Sequence, residues 1–216
     1  MNTFILDYET TGLNPYHHEL IELAIKKLDE DHYYQTLIKP SINGIHYKYI
    51  SEKINKITGI TDEMIESDGI DENIAFYNMI QYISNHSEEG PIYLLAHNGT
   101  TFDFIFFKKQ LLNYEMDNTK KTRSTSIDHD IINRIVYLDT LLMARMVIND
   151  GSCSQYNLCK RYNIINESEH RALGDINALE KIYKKLCINL SYTNNSNTDI
   201  YINDPKTIVD KINFKV

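Results

Sequence analysis

The chain of 216 residues lacks the features that mark disulfide-linked, secreted or membrane-spanning proteins. Its three cysteines, Cys153, Cys159 and Cys187, are odd in number and do not have the spacing of a metal-binding motif. We find neither an apolar run long enough to cross a bilayer nor a secretory signal. We therefore expect reduced thiols in an intracellular protein of the cytoplasm or nucleus, with no membrane association.

Basic residues are also scarce. There are 22 lysines and arginines against 30 aspartates and glutamates, so the formal net charge is -8. This deficit argues against broad, non-specific binding of nucleic acid, although an acidic protein can still bind phosphate groups through metal ions and a few lysines. The heavy use of Asn, Ile, Lys and Tyr indicates an AT-rich coding genome, with a viral or parasitic source as one option.

The length of the chain fits one α/β domain followed by a tail. We expect the domain over residues 1–188. Residues 191–199 are rich in Asn, Ser and Thr, which predicts a flexible linker, and residues 200–216 have too little apolar content for a second domain. Residues 189–216 are therefore interpreted as a polar linker and C-terminal tail.

The first segment, residues 4–12, is an apolar run that ends in two acids and a turn. In a β-strand, Asp7 and Glu9 would share a face with Ile5. Two carboxylates at such a short distance repel each other unless they bind protons or cations. Their oxygens are suitable ligands for Mg²⁺ or Mn²⁺. The Thr-Thr-Gly turn would let backbone approach a ligand closely. Taken alone, such an acid pair is also typical of a solvated strand end.

Hydrophobic periodicity predicts three strands in succession, then alternating helices and strands. Further strands are predicted at 21–25, 33–38, 92–96 and 134–138. Helices are predicted after Thr61 or Asp62 and at 71–85, 104–112, 140–146, 155–162 and 171–186. Residues 20–27 also fit a helix, and we adopt the strand. The pattern favours an α/β fold that begins with an antiparallel meander.

Three further polar features lie in a predicted loop or at predicted helix starts, and the first two have two interpretations each. Residues 113–133 predict a surface loop whose basic cluster, residues 120–123, either is solvated or follows a phosphate backbone. Asp139 opens a predicted helix, which favours an N-cap over a metal ligand. Asp103 also falls near a helix start, where a carboxylate suits the helix dipole.

Three acidic motifs stand in order along the chain: Asp7–Gly12 (DYETTG), His97–Asp103 (HNGTTFD) and His170–Asp175 (HRALGD). Over roughly residues 3–186 they resemble the three motifs of the DEDDh, or DnaQ-like, 3′-to-5′ exonucleases. Ile57–Met64 and Leu138–Thr140 are smaller matches. The spacing of the second motif is similar to the TREX-type branch, whereas the Glu-Thr-Thr-Gly of the first is closer to bacterial polymerase proofreading subunits.

The resemblance implies a ribonuclease H-like α/β fold, with a mixed five-stranded sheet flanked by helices. It also implies two Mg²⁺ or Mn²⁺ ions, one of them held by Asp7, Glu9 and Asp175. Asp7 would share the second ion with substrate phosphate, and Asp103 would act through water. His170 would accept the proton of the attacking water, since histidine is the side chain suited to this near neutral pH.

The resemblance further implies contacts with the substrate. The Thr10 backbone would meet the 3′ end, Leu13 and Ile57 would pack against terminal bases, and Phe102 would line the sugar pocket. The implied substrates are single-stranded or frayed DNA 3′ ends, with a polymerase or a replication or repair complex as an optional partner. RNA as substrate and a non-catalytic nucleic-acid-binding module are the alternatives. The presence of all four acids and the histidine favours an enzyme, and the oligomeric state is left open.

Overall fold

A computed structural model describes residues 2–42, 45–46, 50–116, 127–194 and 198–213. The strands within these ranges are β1 Thr3–Thr10, β2 Leu20–Lys27, β3 Tyr33–Lys39, β4 Ser41–Ile42, β5 Ile45–His46, β6 Ile70–Asp71, β7 Ile92–Ala96 and β8 Ile135–Asp139. The helices are α1 Glu52–Thr58, α2 Asp62–Asp68, α3 Glu72–His86, α4 Asp103–Met116, α5 His129–Asn133, α6 Thr140–Val147, α7 Gln155–Tyr162, α8 Ala172–Asn194, α9 Thr198–Asn203 and α10 Lys206–Asn213.

The main sheet has six strands in the order β6-β3-β2-β1-β7-β8. β2 pairs antiparallel with β1 and β3, whereas β7 pairs parallel with β1 and β8. This mixed sheet with flanking helices confirms the predicted fold class, and it confirms a strand rather than a helix at residues 20–27. The sheet has one strand more than the expected five. The additional strand is β6 at the edge, whose two residues are too few to produce a periodic signal.

The alternation of side chains along β1 separates two hydrophobic cores. Ile5 packs with Leu95 and Leu138 in the core beneath α8, whereas Leu6 packs with Phe76 in the core beneath α3 and α4. Since strand side chains alternate, Asp7 and Glu9 lie on the Ile5 side, as predicted. The two acids therefore face the helix that carries the third motif.

β2 is buried on both faces, although polar or small residues alternate with large apolar ones along it. Glu22 is completely buried and Lys26 is 8% exposed. Each has polar partners: Gln35 donates to Glu22 at 2.8 Å, and the Lys26 ammonium lies 2.7 Å from a carboxylate oxygen of Glu180. A central strand buries its polar residues only when they are paired.

The C-terminal segment differs from the expected flexible linker. α8 continues to Asn194, and α9 and α10 follow it. Tyr201 is 2% exposed and Ile208 is fully buried, and both join the core that contains Ile5. The linker interpretation is wrong for the described residues, because a few well-spaced apolar side chains dock these helices despite their polar composition. The division of the chain at residue 188 stays a prediction.

Two other segments contain helices that the sequence did not predict. α1 begins after Ser51, whose hydroxyl accepts a bond from the Ile54 amide, and it ends at Gly59 in the left-handed conformation. Within the expected loop 113–133, α4 runs on to Met116 and α5 forms, while the basic cluster 120–123 lies outside the described residues. These short helices carry too few apolar residues for a clear helical period.

The three cysteines lie inside the fold. Cys153, Cys159 and Cys187 are all buried, and none of them forms a disulfide. No helix in the described part of the chain is long and apolar enough to span a membrane.

Candidate active site

The predicted motifs meet at one edge of the sheet. β1, β7 and β8 run parallel, so their carboxyl ends lie side by side. Glu9 and Thr10 end β1, His97 follows β7, and Asp139 ends β8. The pairing of β1 with β2 shifts register between Glu9 and Thr10, a local irregularity at the end of the strand.

Three carboxylates converge at this edge. Asp7, Glu9 and Asp175 each offer one oxygen, and these oxygens all lie within 4.8 Å of one another. All three side chains are half-buried. Hard oxygen ligands at this spacing fit one divalent cation.

The cluster is electrostatically strained in the absence of a counter-charge. Burial raises the pKa of Glu9 to about 8, and the carboxylates of Asp175 and Glu22 add to this rise. Burial likewise raises the pKa of Asp7 well above its usual range, and it raises that of Asp175 to about 6. Glu9 therefore keeps a proton near neutral pH unless a cation takes its place, and a divalent ion would displace that proton.

Asp103 approaches the same site from α4. It is 2% exposed, and its Oδ1 accepts a 3.3 Å hydrogen bond from the Tyr8 amide. Burial raises its pKa to about 7, and its charge in turn raises the pKa of Asp7. Asp103 is thus next to the cluster without belonging to the three converging oxygens.

Asp139 shapes the loop that carries the second motif. Its Oδ1 accepts from the amide of Leu141 at 2.9 Å, which confirms the predicted N-cap of α6. The same carboxylate accepts from the Asn98 amide at 3.0 Å and from the Thr100 amide at 2.9 Å. Asp139 therefore holds the β7–α4 loop, a role that its sequence position did not reveal.

Asp175 is oriented by three donors. The side-chain amide of Asn166 donates to Oδ1 at 2.7 Å, and that of Gln155 donates to the same oxygen at 3.2 Å. The backbone amide of His170 donates to Oδ2 at 3.0 Å. Asn166 and Gln155 were not predicted, because each is a polar residue in a polar stretch and only the folded chain shows its partner.

The loop before α8 lies very close to that helix. A methyl group on Gly174 would overlap the backbone of Ser168, so this approach depends on glycine. His170 is exposed and has a positive φ of 61°. Its charge is near enough to lower the pKa of Asp175. The imidazole therefore stands at the mouth of the site, beside the acid cluster.

An ion pair with the buried carboxylate of Glu22 anchors the residue after His170. Nη2 of Arg171 lies 2.7 Å from Oε1 of Glu22, and its Nε donates to Oε2 at 3.1 Å. The Ala172 amide also donates to Oε2, at 3.0 Å. Glu22 pairs across the sheet with Glu9, so this contact connects the start of α8 to the strand beside the acids.

The residues expected to contact substrate lie in contrasting environments. The side chain of Thr10 is buried and its hydroxyl bonds to the Gly12 carbonyl at 2.6 Å. Leu13 is 83% exposed and Ile57 is 42% exposed. Phe102 is half-buried, with its ring 5.1 Å from that of Phe106. Leu13 and Ile57 are thus accessible apolar side chains, and the substrate roles of these residues stay predictions.

Most of this chain can be aligned with parts of known DNA polymerases and exonucleases. The PolC-type DNA polymerase III of Ureaplasma parvum is 29% identical over 188 residues, a match that covers 86% of this chain and 11% of the polymerase. Exonuclease DPD1, chloroplastic/mitochondrial, of Arabidopsis thaliana is 27% identical over 203 residues, covering 88% of this chain and 57% of that protein. The chain thus spans only part of these relatives.

A solved structure has the same fold. The zinc-bound form of an E. coli exonuclease I complex with single-stranded DNA superposes with a TM-score of 0.64 and 20% identity, covering 94% of this chain and 41% of the other. The family model described as Exonuclease matches residues 4–183, which include all three acidic motifs. The chain therefore belongs to the Exonuclease family of nucleases.

Proposed function

We propose that this protein is a DEDDh-type 3′-to-5′ exonuclease that releases nucleoside 5′-monophosphates from single-stranded or frayed DNA ends. The observation that carries the proposal is the convergence of Asp7, Glu9 and Asp175 within 4.8 Å of one another. These acids are separated widely in sequence and come from two motifs. A carboxylate cluster at a strand edge, next to an exposed histidine, is suited to metal-assisted hydrolysis of a phosphodiester.

The carboxylates would hold Mg²⁺ or Mn²⁺, with two ions per site. Asp7, Glu9 and Asp175 are the proposed ligands of one ion, Asp7 is shared with the second, and Asp103 assists. When bound, the ions supply positive charge for the attacking and leaving oxygens. The raised pKa values of the acids support this assignment, because burial and the neighbouring carboxylates both disfavour the ionised forms, which a bound cation would stabilise.

His170 is the proposed general base. Its position beside Asp175 would let it take a proton from the attacking water. The water oxygen then bonds to phosphorus, and the bond between phosphorus and the 3′ oxygen of the preceding nucleotide breaks. That oxygen takes up a proton and becomes a new 3′-hydroxyl. Each cycle releases one nucleoside 5′-monophosphate and shortens the strand by one nucleotide.

The terminal nucleotide would be held by the residues around the β1 turn. We assign the 3′ end to the Thr10 backbone, the terminal bases to Leu13 and Ile57, and the sugar to Phe102. The exposure of Leu13 and Ile57 supports stacking on bases, which tolerates any sequence. Opening a continuous duplex costs a few kcal/mol of unstacking, so we expect single strands and frayed ends to react faster.

DNA is the proposed substrate, and a polymerase or a replication or repair complex is the proposed partner. The relatives named as a DNA polymerase and as an exonuclease support this choice. We assign the exonuclease domain to residues 1–188 and treat residues 189–216 as an addition to it.

The test is digestion of 5′-labelled single-stranded DNA and RNA of the same sequence, with Mg²⁺ or Mn²⁺. We expect a ladder that shortens from the 3′ end, mononucleotide products and faster loss of DNA. EDTA should stop the reaction. A 3′-phosphorylated oligonucleotide should resist digestion, and a circular single strand should stay intact.

Four outcomes would change the proposal. Equal digestion of the 3′-phosphorylated oligonucleotide, or rapid cutting of the circle, would contradict exonuclease action from a 3′-hydroxyl. Equal or faster digestion of RNA would reverse only the sugar preference. Binding without any hydrolysis at saturating metal would favour the non-catalytic module.

A further inference from the structure

A cleft of about 520 Å³ lies next to the acid cluster and has no role in the proposed chemistry. One wall is formed by His97 and Asn98, which follow β7. Arg145 of α6 forms a second wall, and Ser154 and Gln155 at the start of α7 form a third. A volume of this size is typical of a ligand site.

The cleft is continuous with the acid cluster through Gln155. This side chain lines the cleft and also donates to Oδ1 of Asp175 at 3.2 Å. Two of the three walls follow β7 and β8, so they lie at the carboxyl edge of the sheet, where the acid cluster also lies. α6 also packs into the core that contains Ile5, which is the side of the sheet that Asp7 faces.

Arg145 is an uncommitted cation in this cleft. The other described arginines each have a carboxylate partner: Arg134 with Asp130, Arg161 with Asp150 and Arg171 with Glu22. Arg145 is exposed and has no such partner among the residues that the structure describes. A guanidinium without a carboxylate partner, in a cleft that reaches Asp175 through Gln155, is suited to a phosphate, whose oxygens its planar fork matches.

The neighbouring histidine does not compete for the same ligand. Burial lowers the pKa of His97, and the charge of Arg145 lowers it further. His97 is therefore neutral near pH 7, with its Nδ1 at 2.9 Å from the hydroxyl of Thr140. Arg145 supplies the positive charge of the cleft, while Asn98 and Ser154 offer neutral polar groups.

We propose that this cleft binds the substrate strand on the 5′ side of the scissile bond, and that Arg145 contacts a backbone phosphate there. The proposal rests on the proposed nuclease function and extends it, because it adds a phosphate subsite to the terminal-nucleotide pocket. Contact with phosphate rather than with a base leaves the enzyme without sequence preference.

The test compares wild type with Arg145→Ala on single-stranded oligonucleotides that carry one neutral methylphosphonate at each internal linkage in turn. In wild type, one such linkage should lower kcat/KM by roughly tenfold, mainly through KM. Arg145→Ala should show the same loss on the unmodified strand and no further loss at that linkage. Lys185→Ala removes one exposed positive charge from a different helix, α8. It is the matched control and should behave as wild type.

Binding separates this proposal from the proposed function. Fluorescence anisotropy in a His170→Ala background follows the same oligonucleotides with hydrolysis slowed by roughly 10²- to 10⁴-fold, so it applies even if wild type proves inactive. We expect Arg145→Ala to weaken binding roughly tenfold and to reduce the salt slope by about 0.7, the value for one phosphate on a single strand. Equal sensitivity of both proteins to every methylphosphonate, or unchanged binding in Arg145→Ala, would overturn the subsite.

Discussion

Asn166 and Asp175 are joined by a 2.7 Å hydrogen bond from the Asn166 side-chain amide to Oδ1 of the carboxylate. Gln155 donates to the same oxygen, and the His170 amide donates to the other. Because both oxygens are engaged, the rotation of this carboxylate is set before any ligand arrives. The orientation of a proposed metal ligand thus depends on residues outside the acidic motifs.

Asn166→Ala should therefore weaken metal binding more than it weakens folding. Loss of a group that orients a ligand typically costs 10- to 100-fold in metal affinity, so we expect the half-saturating Mg²⁺ concentration to rise about tenfold. Titration of activity with Mg²⁺ measures this shift. Asn133→Ala, an exposed site at the end of α5, is the control. A lower rate at saturating Mg²⁺ with no change in half-saturation would contradict the positioning role.

Asp7→Asn should abolish nearly all hydrolysis and should stabilise the metal-free protein. The pKa of Asp7 is raised by burial and by neighbouring carboxylates, so its ionised form destabilises the fold as pH rises, and the neutral amide removes that cost. We expect a higher melting temperature in EDTA at pH 8. Asp31→Asn, an exposed site, should leave both activity and melting unchanged. Full activity of Asp7→Asn at saturating metal would refute the ligand assignment.

His170→Ala should reduce turnover by roughly 10²- to 10⁴-fold, which is the usual effect of losing a general base. Binding of metal and of single-stranded DNA should survive, since the Asp175 contact is made by the His170 backbone. Single-turnover kinetics and calorimetry measure the two effects separately. His32→Ala, an exposed histidine between β2 and β3, is the control. Weaker metal binding with a normal rate at saturating metal would make His170 a ligand or a supporting residue instead.

Glu72 provides a test of pH-dependent stability away from the acid cluster. Burial raises its pKa from 4.5 to about 7, and the nearby charge of Glu19 adds to the rise. The folded protein therefore holds this proton more tightly than the unfolded chain does. The resulting stabilisation is complete below about pH 4.5 and is lost as pH rises through about 7.

Glu72→Gln should thus melt about 5–10 °C above wild type at pH 8, with the difference vanishing near pH 4.5. Thermal unfolding in EDTA at several pH values measures the difference. Glu52→Gln is the matched control, because Glu52 is the exposed first residue of α1. A gap that does not depend on pH would mean that Glu72 is ionised in the folded protein throughout this range.

Much of the fold could be predicted from local patterns of hydrophobic residues. Alternation in β1 and β2 and the apolar run of β7 predicted strands that the structure confirms. α1 and β6 were missed, because a seven-residue helix and a two-residue strand give little periodic signal. The docking of α9 and α10 was missed for another reason, since it depends on Tyr201 and Ile208 finding a distant core.

The site shows the same limit. The order of the motifs was sufficient to predict that Asp7, Glu9 and Asp175 act together, and the structure places their oxygens close to one another. No sequence window contains both Glu22 and Arg171, which are 149 residues apart and touch only in the folded chain. Supporting contacts of this kind are tertiary, so composition and spacing do not report them.

In the ion pair between Glu22 and Arg171, the surrounding groups determine which of the two positions holds the acid. Gln35, Arg171 and the Ala172 amide all donate to the Glu22 carboxylate, and the strand buries it completely. A chain in which the acid and the arginine exchanged places would turn a guanidinium toward the two remaining donors at a fully buried position. All three groups would then be donors without an acceptor, so the acid and the arginine are not interchangeable here.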